Sequence, residues 1–283
     1  SNKWKSLLTG VATLTLLTAC SQASSQSATT SNTPQTTATT NKTTNTNYFT
    51  DKDKDTSYDE STASTVKLSG SSASVSGDGV AVSGSTVTIS KAGTYVISGE
   101  SNGVQIKVEA DDSDDVHIVL KGVTMTNTNA PISATKAGHV YLTLADGTTN
   151  TLSDSSSNND EDADAVIFSK GDLTINGSGT LNIDAKKNNG IKANDTLHIT
   201  GGTYKITAVG DAFNVNDELN ITGTTMTIDA DEDAVKVDND EDTSVGTMYL
   251  SDNKMTITAG DDGIHASGDL IIDSGTYKVT ESV

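Results

Sequence analysis

The stretch GIKANDTLHITGGTYKITAVGD, residues 190–211, holds three short runs in which apolar and polar residues alternate. A period of two marks a strand buried on one face, and here it points Ile191 and Ala193, then Leu197 and Ile199, then Tyr204 and Ile206 to one side. The pattern returns along the chain. AVIFSKGDLTINGSGTLNIDA begins at Ala165, AFNVNDELNITGTTMTIDADED at Ala212, AVKVDNDEDTSVGTMYLSDNKMTITAGDD at Ala234 and GIHASGDLIIDSGTYKVTESV at Gly263, at offsets of 25, 22, 22 and 29 residues. In two of these units Phe213, Val215, Leu219, Ile221, Met226 and Ile228, then Val235, Val237, Met248, Leu250, Met255 and Ile257, take the matching inward places. Three strands per period of about 22 residues predict an all-β fold, a single-stranded parallel β-helix in which each unit is one coil. Such a coil covers only its neighbours, so the core is narrow and one-dimensional. A chain that is 33% hydrophobic and 4% aromatic can then still fold. Corners such as Gly201-Gly202 allow the sharp turns.

Upstream, Val66 to Gly99 and Val104 to Leu144 continue the alternation (VAVSGSTVTI, VQIKV, VHIVL, VYLTL) and predict opening coils or a β-rich cap, giving a domain over 65–283. At the other end the chain stops within the third strand of a coil with no cap in view, so the domain is expected to be C-terminally incomplete. The N-terminus is of another kind. Lys3 and Lys5, an apolar stretch from Leu7 to Leu17 and then Thr18-Ala19-Cys20 look like a bacterial lipoprotein signal peptide over 1–19. Cys20 is the sole cysteine, which excludes an intramolecular disulfide and suits it to carry diacylglycerol, a two-chain anchor. The chain is then expected at the extracellular face of the membrane, meeting the bilayer through its lipid alone. Residues 20–64, rich in Ser, Thr and Asn and ending in the charged YFTDKDKDTSYDESTAS, are expected to be a disordered linker.

The formal net charge is −20, every one of the 18 basic residues being Lys. A surface of that sign repels phosphates, which excludes nucleic acid as a partner. The acids cluster where coils turn. Asp162 and Asp164, Asp211, Asp231 and Asp233, and Asp261 and Asp262 precede the first strand of successive units. Stacked coils bring them about 5 Å apart, where they repel unless shared Ca²⁺ neutralises them; the alternative is a solvated acidic edge. The insertion Asp238-Asn239-Asp240-Glu241-Asp242, with carboxylates at alternate positions, resembles the start of a calcium loop or is a charged surface loop. It makes Asp238, Asp240 and Asp242 candidate ligands, and Asp160-Glu161-Asp162-Ala163-Asp164 is a weaker version of it. Facing outward from the first strand are Lys192 and Asn194, Asn214 and Asn216, Lys236, and His265. Beside calcium, such a strip can bridge uronate carboxylates; as an ordinary polar sheet surface it would do nothing. Tyr204 and Tyr277 stand where sister coils place Leu or Met and read as core. The four His fall on separate coils with no zinc-ligand spacing.

SGDGVAVSGSTVTISKAGTYVISGE (76–100), LKGVTMTNTNAPI (120–132), AVIFSKGDLTINGSGTL (165–181), NNGIKANDTLHITGGTY (188–204) and AVKVDNDEDTSVG (234–246) resemble a family of bacterial extracellular carbohydrate-binding proteins, the clostridial cellulose- and polygalacturonate-binding type. The resemblance runs over about 66–283 and implies a right-handed helix like that of pectate lyases, bound calcium, and affinity for plant-type polysaccharides. A calcium-dependent, non-catalytic binder of extracellular polysaccharide is the reading it favours. The alternatives are a lyase acting on uronate polymers and a structural or adhesive stalk. A lyase needs a strong base, and in the enzymes this fold resembles that base is usually Arg, which the chain lacks. Lys192 or Lys236 would have to substitute, in acidic surroundings that favour the protonated amine. The number of copies in the assembly is left open.

Overall fold

The computed structural model describes residues 11–16 and 47–281. Apart from the four-residue helix Asp51–Lys54, the elements of the described residues are strands. Over most of the chain these form three parallel stacks in which each strand pairs with the strand three further on. The first stack runs from Gln105–Glu109 through Ile132–Lys136, Ala165–Ser169, Asn189–Ala193, Phe213–Val215 and Val235–Val237 to Ile264–Ala266. The second holds His139–Leu144, Asp172–Asn176, Thr196–Thr200, Glu218–Thr222, Thr247–Ser251 and Leu270–Ile272. The third holds Thr149–Ser153, Thr180–Ala185, Thr203–Ala208, Thr225–Ala230, Asn253–Ala259 and Gly275–Glu281.

Register follows from the apolar pattern, because a slip of one residue would turn every core side chain outward. Leu173, Leu197, Leu219, Met248 and Leu270 stack on one another in the second ladder, as Ile183, Ile206, Ile228, Ile257 and Val279 do in the third. Tyr204 and Tyr277 are core, as expected, each 1% exposed. Their hydroxyls donate to the carbonyls of Gly201 at 2.9 Å and Ser274 at 2.8 Å, so each ring fills the core while its polar tip closes the preceding corner. Corner glycines are required by geometry. Gly177 sits at φ +89°, and a Cβ there would lie 2.2 Å from the Leu144 carbonyl oxygen. Buried Asn side chains do the rest: Asn150 Oδ1 accepts from the amides of Gly122 and Val123, and Asn253 Oδ1 accepts from the amide and hydroxyl of Thr224.

The opening segment is a cap. Antiparallel hairpins join Ser64–Gly70 to Ser72–Ser76 and Val80–Ser83 to Thr86–Ile89, after which the long strands Gly93–Asn102 and Asp115–Thr126 lead into the coils. Asp115–Thr126 serves two stacks, pairing His139–Leu144 through its first half and Leu152 through Met125.

One N-terminal expectation meets a different arrangement. Within 20–64, residues 47–63 are a strap laid along the second stack, with Phe49 7% and Asp53 1% exposed. Their Asp and Lys pair with side chains of the sheet, contacts that composition does not register. Within 1–19, residues Val11–Leu16 form a strand antiparallel to Gly275–Glu281, where an edge offers unpaired backbone groups. Cys20 lies outside the described residues.

Candidate functional site

One position of the repeat, at or just before the start of the first strand, carries Asn189, Asp211, Asp233 and Asp262 in successive coils, Ala165 holding it in the coil before. These side chains build a ladder. The Asp211 amide donates to Asn189 Oδ1 at 3.2 Å, that of Asp233 to Asp211 Oδ1 at 2.9 Å, and that of Asp262 to Asp233 Oδ1 at 2.8 Å. Asp211 and Asp233 thus each commit one side-chain oxygen to the coil beyond and leave the other outward. Burial, reinforced by Asp233 and Glu232, pushes the Asp211 carboxyl above the usual carboxylate range against the pull of the Asp233 amide and Lys236.

The neighbouring row faces outward from the first stack. Phe168, Lys192, Asn214, Lys236 and His265 are successive register partners. Lys192 Nζ donates to Asp164 Oδ1 at 3.0 Å and to the Asp162 carbonyl at 3.2 Å. Asn214 Nδ2 donates to Asp211 Oδ2 at 3.0 Å, and Lys236 Nζ stands 3.8 Å from both Asp211 Oδ2 and Asp233 Oδ2. At the last coil the His265 ring lies between Asp262 Oδ2, 3.0 Å from Nδ1, and Asp238 Oδ2, 3.9 Å from Nε2. Ligand atoms of Asp233, Asp262 and His265 fall within 4.8 Å of one another. Asn194 and Asn216 extend the strip by one further residue, their amides bonded to Ser169 and Ala193.

The other expected ligands are elsewhere. Asp162, Asp231 and Asp261 are exposed and lie off the ladder, since here the residue two places before the strand is the one that meets the next coil's amide. The insertion is folded on itself. Asn239 Oδ1 accepts from the amides of Glu241 and Asp242, Asp242 Oδ1 accepts from the Ser244 amide and hydroxyl, and Asp240 is exposed. Of its three aspartates, Asp238 alone is directed at the His265 end of the row.

Residues 83–282 match the family described as carbohydrate-binding domain-containing protein. The chain belongs to this carbohydrate-binding domain family. A member from Acetivibrio thermocellus is 36% identical over 126 residues, a stretch that makes up 42% of this chain and 44% of the relative, so the match spans less than half of that protein's length. A solved structure described as the polysaccharide lyase-like protein from C. thermocellum, a gadolinium derivative, is 29% identical with a TM-score of 0.65, covering 78% of this chain and 98% of that one.

In this member of the carbohydrate-binding domain family the first face can do two things chemically. Its ammonium and amide groups can donate to an acidic or hydroxylated polymer, and the outward oxygens of Asp233, Asp262 and Asp238 can hold a hard cation. Between Asp211 and Asp233 that place is taken by Lys236, so a cation shared by every pair of coils does not fit there. The fit is confined to the last coils.

Sequence reasoning did not find a second polar centre under the strap. His198 Nδ1 lies 2.8 Å from Asp53 Oδ2 and Nε2 lies 2.6 Å from Glu218 Oε2; Thr174 donates to Asp53 Oδ1 at 2.7 Å. Burial would depress the His198 ring, but its two carboxylate partners outweigh that and raise it from 6.5 to about 9. For Asp53 burial acts upward, and the bonds from His198, the Thr50 amide and Thr174 overcome it and hold the carboxyl well below its usual range. The Asp-Lys-Asp-Lys run at 51–54 carried no signal for this, because its partner lies 145 residues away.

Proposed function

We propose that this protein is a non-catalytic, calcium-dependent binder of polysaccharide, lipid-anchored through Cys20 at the extracellular face of a bacterial membrane, its coils wound as a right-handed parallel β-helix. The observation that carries the reading is the in-register row Lys192, Asn214, Lys236 and His265 beside the carboxylate ladder. Donors spaced by the strand separation, about 4.8 Å, suit a polymer lying across the coils, with Asn194 and Asn216 at its margin. Calcium on the outward oxygens of Asp233, Asp262 and Asp238 would bridge them to a uronate carboxylate. The ligand class is an acidic, pectin-like glycan.

The test is retention of the full chain on insoluble pectate, with thermal unfolding in EDTA and in Ca²⁺. Calcium is expected to raise the melting temperature and to be needed for retention. Asp233→Asn keeps an acceptor for the Asp262 amide while removing a charge from the ladder. It should melt no lower than the parent in EDTA and lose the calcium response. Retention indifferent to calcium and to Lys236→Gln would overturn the reading.

One observation favours a second reading, the likeness to a polysaccharide lyase-like protein. A lyase would release an unsaturated, ultraviolet-absorbing product from pectate. Against it stands the engagement of both candidate bases, Lys192 and Lys236, by carboxylates of the wall itself.

A further inference from the structure

The second stack carries its own outward row. His117, Tyr141, Thr174, His198, Asn220 and Tyr249 are successive register partners, and two residues further along the same strands Asn176 and Thr200 pair beside them. This row differs from the first in kind, being made of rings, amides and hydroxyls with no Lys. The strap lies on it, and the contacts share a pattern. Asn220 Nδ2 donates to the Tyr48 carbonyl at 2.9 Å, Asn176 Nδ2 to those of Asp53 at 3.1 Å and Asp55 at 3.0 Å, and Thr200 to that of Asp53 at 2.8 Å. The Tyr48 ring stacks on Tyr249 with centroids 3.6 Å apart and planes 8° from parallel, and the Lys52 ammonium covers Tyr141 at 4.8 Å. The face therefore offers flat rings and a line of donors, and the strap supplies a stacked ring and a line of acceptor oxygens.

Flat aromatic faces interleaved with amide and hydroxyl donors at coil spacing are also what an extended sugar chain needs, its ring faces stacking and its oxygens accepting. Carboxylates bound the row on one side, Asp115 and Asp172 flanking His139 in register and Glu218 beside His198. They would repel a uronate and leave a neutral glycan as the matching ligand. The strap is held lightly for its length. Its apolar anchorage is Phe49 at one end and Tyr58 with Ala63 against Val96, Val119 and Ala145 at the other. Between them it depends on polar contacts that another hydroxylated ligand could replace, and on a buried ion pair, a weak source of net stability.

We propose that the second stack is a carbohydrate-binding face for a neutral glycan chain, and that residues 47–63 occupy it as an intramolecular competitor. It shares with the preceding proposal only the family's carbohydrate binding, since a different face, a different ligand charge and no metal are involved. Masking lowers apparent affinity by the fraction of molecules with the strap lifted, so weakening the strap must strengthen binding.

The experiment compares the full chain with Tyr48→Ala/Asp53→Ala, which loosens the strap and leaves the face intact. Retention on insoluble cellulose and binding of a soluble mixed-linkage β-glucan are measured, together with cleavage by a lysine-specific protease at Lys52 and Lys54. The expected result is faster cleavage and a gain in neutral-glycan affinity on the order of tenfold, abolished when Tyr249→Ala and Asn220→Ala are added. Lys236→Gln, on the first face, should weaken pectate retention and leave the neutral-glycan gain untouched, which separates failure of one proposal from failure of the other. Faster cleavage with no gain for either neutral glycan overturns the inference. So does a strap that stays protected until the whole stack melts, tested also with the milder Asp53→Asn, because it would then be an integral part of the fold.

Discussion

Raising the pH from 6.5 towards 9 should release the strap while the coils stay folded. The ring of His198 has its folded value near 9 against 6.5 when free. A group whose value is raised on docking contributes fully below the free value, and its contribution fades as pH climbs through the docked one. The interval between those values corresponds to about 3 kcal/mol. Glu218 belongs to the second stack and stays beside His198 when the strap lifts, so only the Asp53 share counts towards docking, about 2 kcal/mol at most, a factor of up to roughly thirty in the docking equilibrium. Asp53, held low, acts at the other end: its contribution is present above 3.8 and lost as pH falls below that. Two further rings face the strap, His117 against Tyr58 and His139 stacked on Tyr141. Burial lowers both, so each opposes docking as pH falls below 6.5. Of the remaining charges, Lys52 meets Asp115 and Lys121 meets Glu60, both in exposed pairs. Docking is therefore tightest close to pH 6.5.

Two readings of one sample check this. The His198 ring resonances, followed by NMR, should titrate near pH 9, and lysine-specific cleavage at Lys52 and Lys54 should quicken over the same interval while far-ultraviolet circular dichroism holds steady. In Asp53→Asn the His198 midpoint should fall and the strap should be cleaved readily already at pH 6.5. A His198 midpoint near 6.5, with the strap protected throughout, would refute the ion-pair argument.

Two substitutions probe the stack itself by urea or thermal unfolding. Asn253→Ala removes the acceptor of the buried Thr224 amide and the donor to the Ile221 carbonyl, and should cost about 2–3 kcal/mol for the orphaned groups. Gly177→Ala would bring a Cβ to 2.2 Å from the Leu144 carbonyl oxygen at a positive φ, and should cost about 1–3 kcal/mol; a neutral result would mean that this corner yields.

The coils were readable because alternation and repetition are both local properties. Ile206, Ile228 and Ile257 stack because each takes the same place in the third alternating run of its unit, and no long-range information was needed to place them. The ladder was half readable. Asp pairs such as Asp231 and Asp233 or Asp261 and Asp262 look equivalent in sequence, whereas it is the residue two places before the strand that can accept the following amide. Asn189 in that same slot was the signal that could have separated them. The strap was unreadable for the opposite reason: a charged segment with few apolar residues has the composition of a linker, and what orders it is a set of single contacts to His198, Asn176 and Asn220, more than a hundred residues away.

The charges of the ladder show where a cation is needed along the stack. Asp164, one residue ahead of the slot that Ala165 holds in its coil, has its oxygens met by Lys192 and Asn188. In the next coil the slot is Asn189, which carries no charge. Asp211 and Asp233 share one Lys236, one ammonium for two carboxylates. Beyond that, Asp262 and Asp238 have only the imidazole of His265 between them. Negative charge left without a fixed partner thus accumulates towards the last coils. There a divalent ion gains most, because it neutralises carboxylates that stacking already holds close and loses little entropy in ordering them. A polymer carboxylate added to such an ion would meet Lys236 one coil away. For that reason calcium and uronate are expected to bind cooperatively at the His265 end of the row, and only weakly at the Lys192 end, where the wall has already satisfied its own charges.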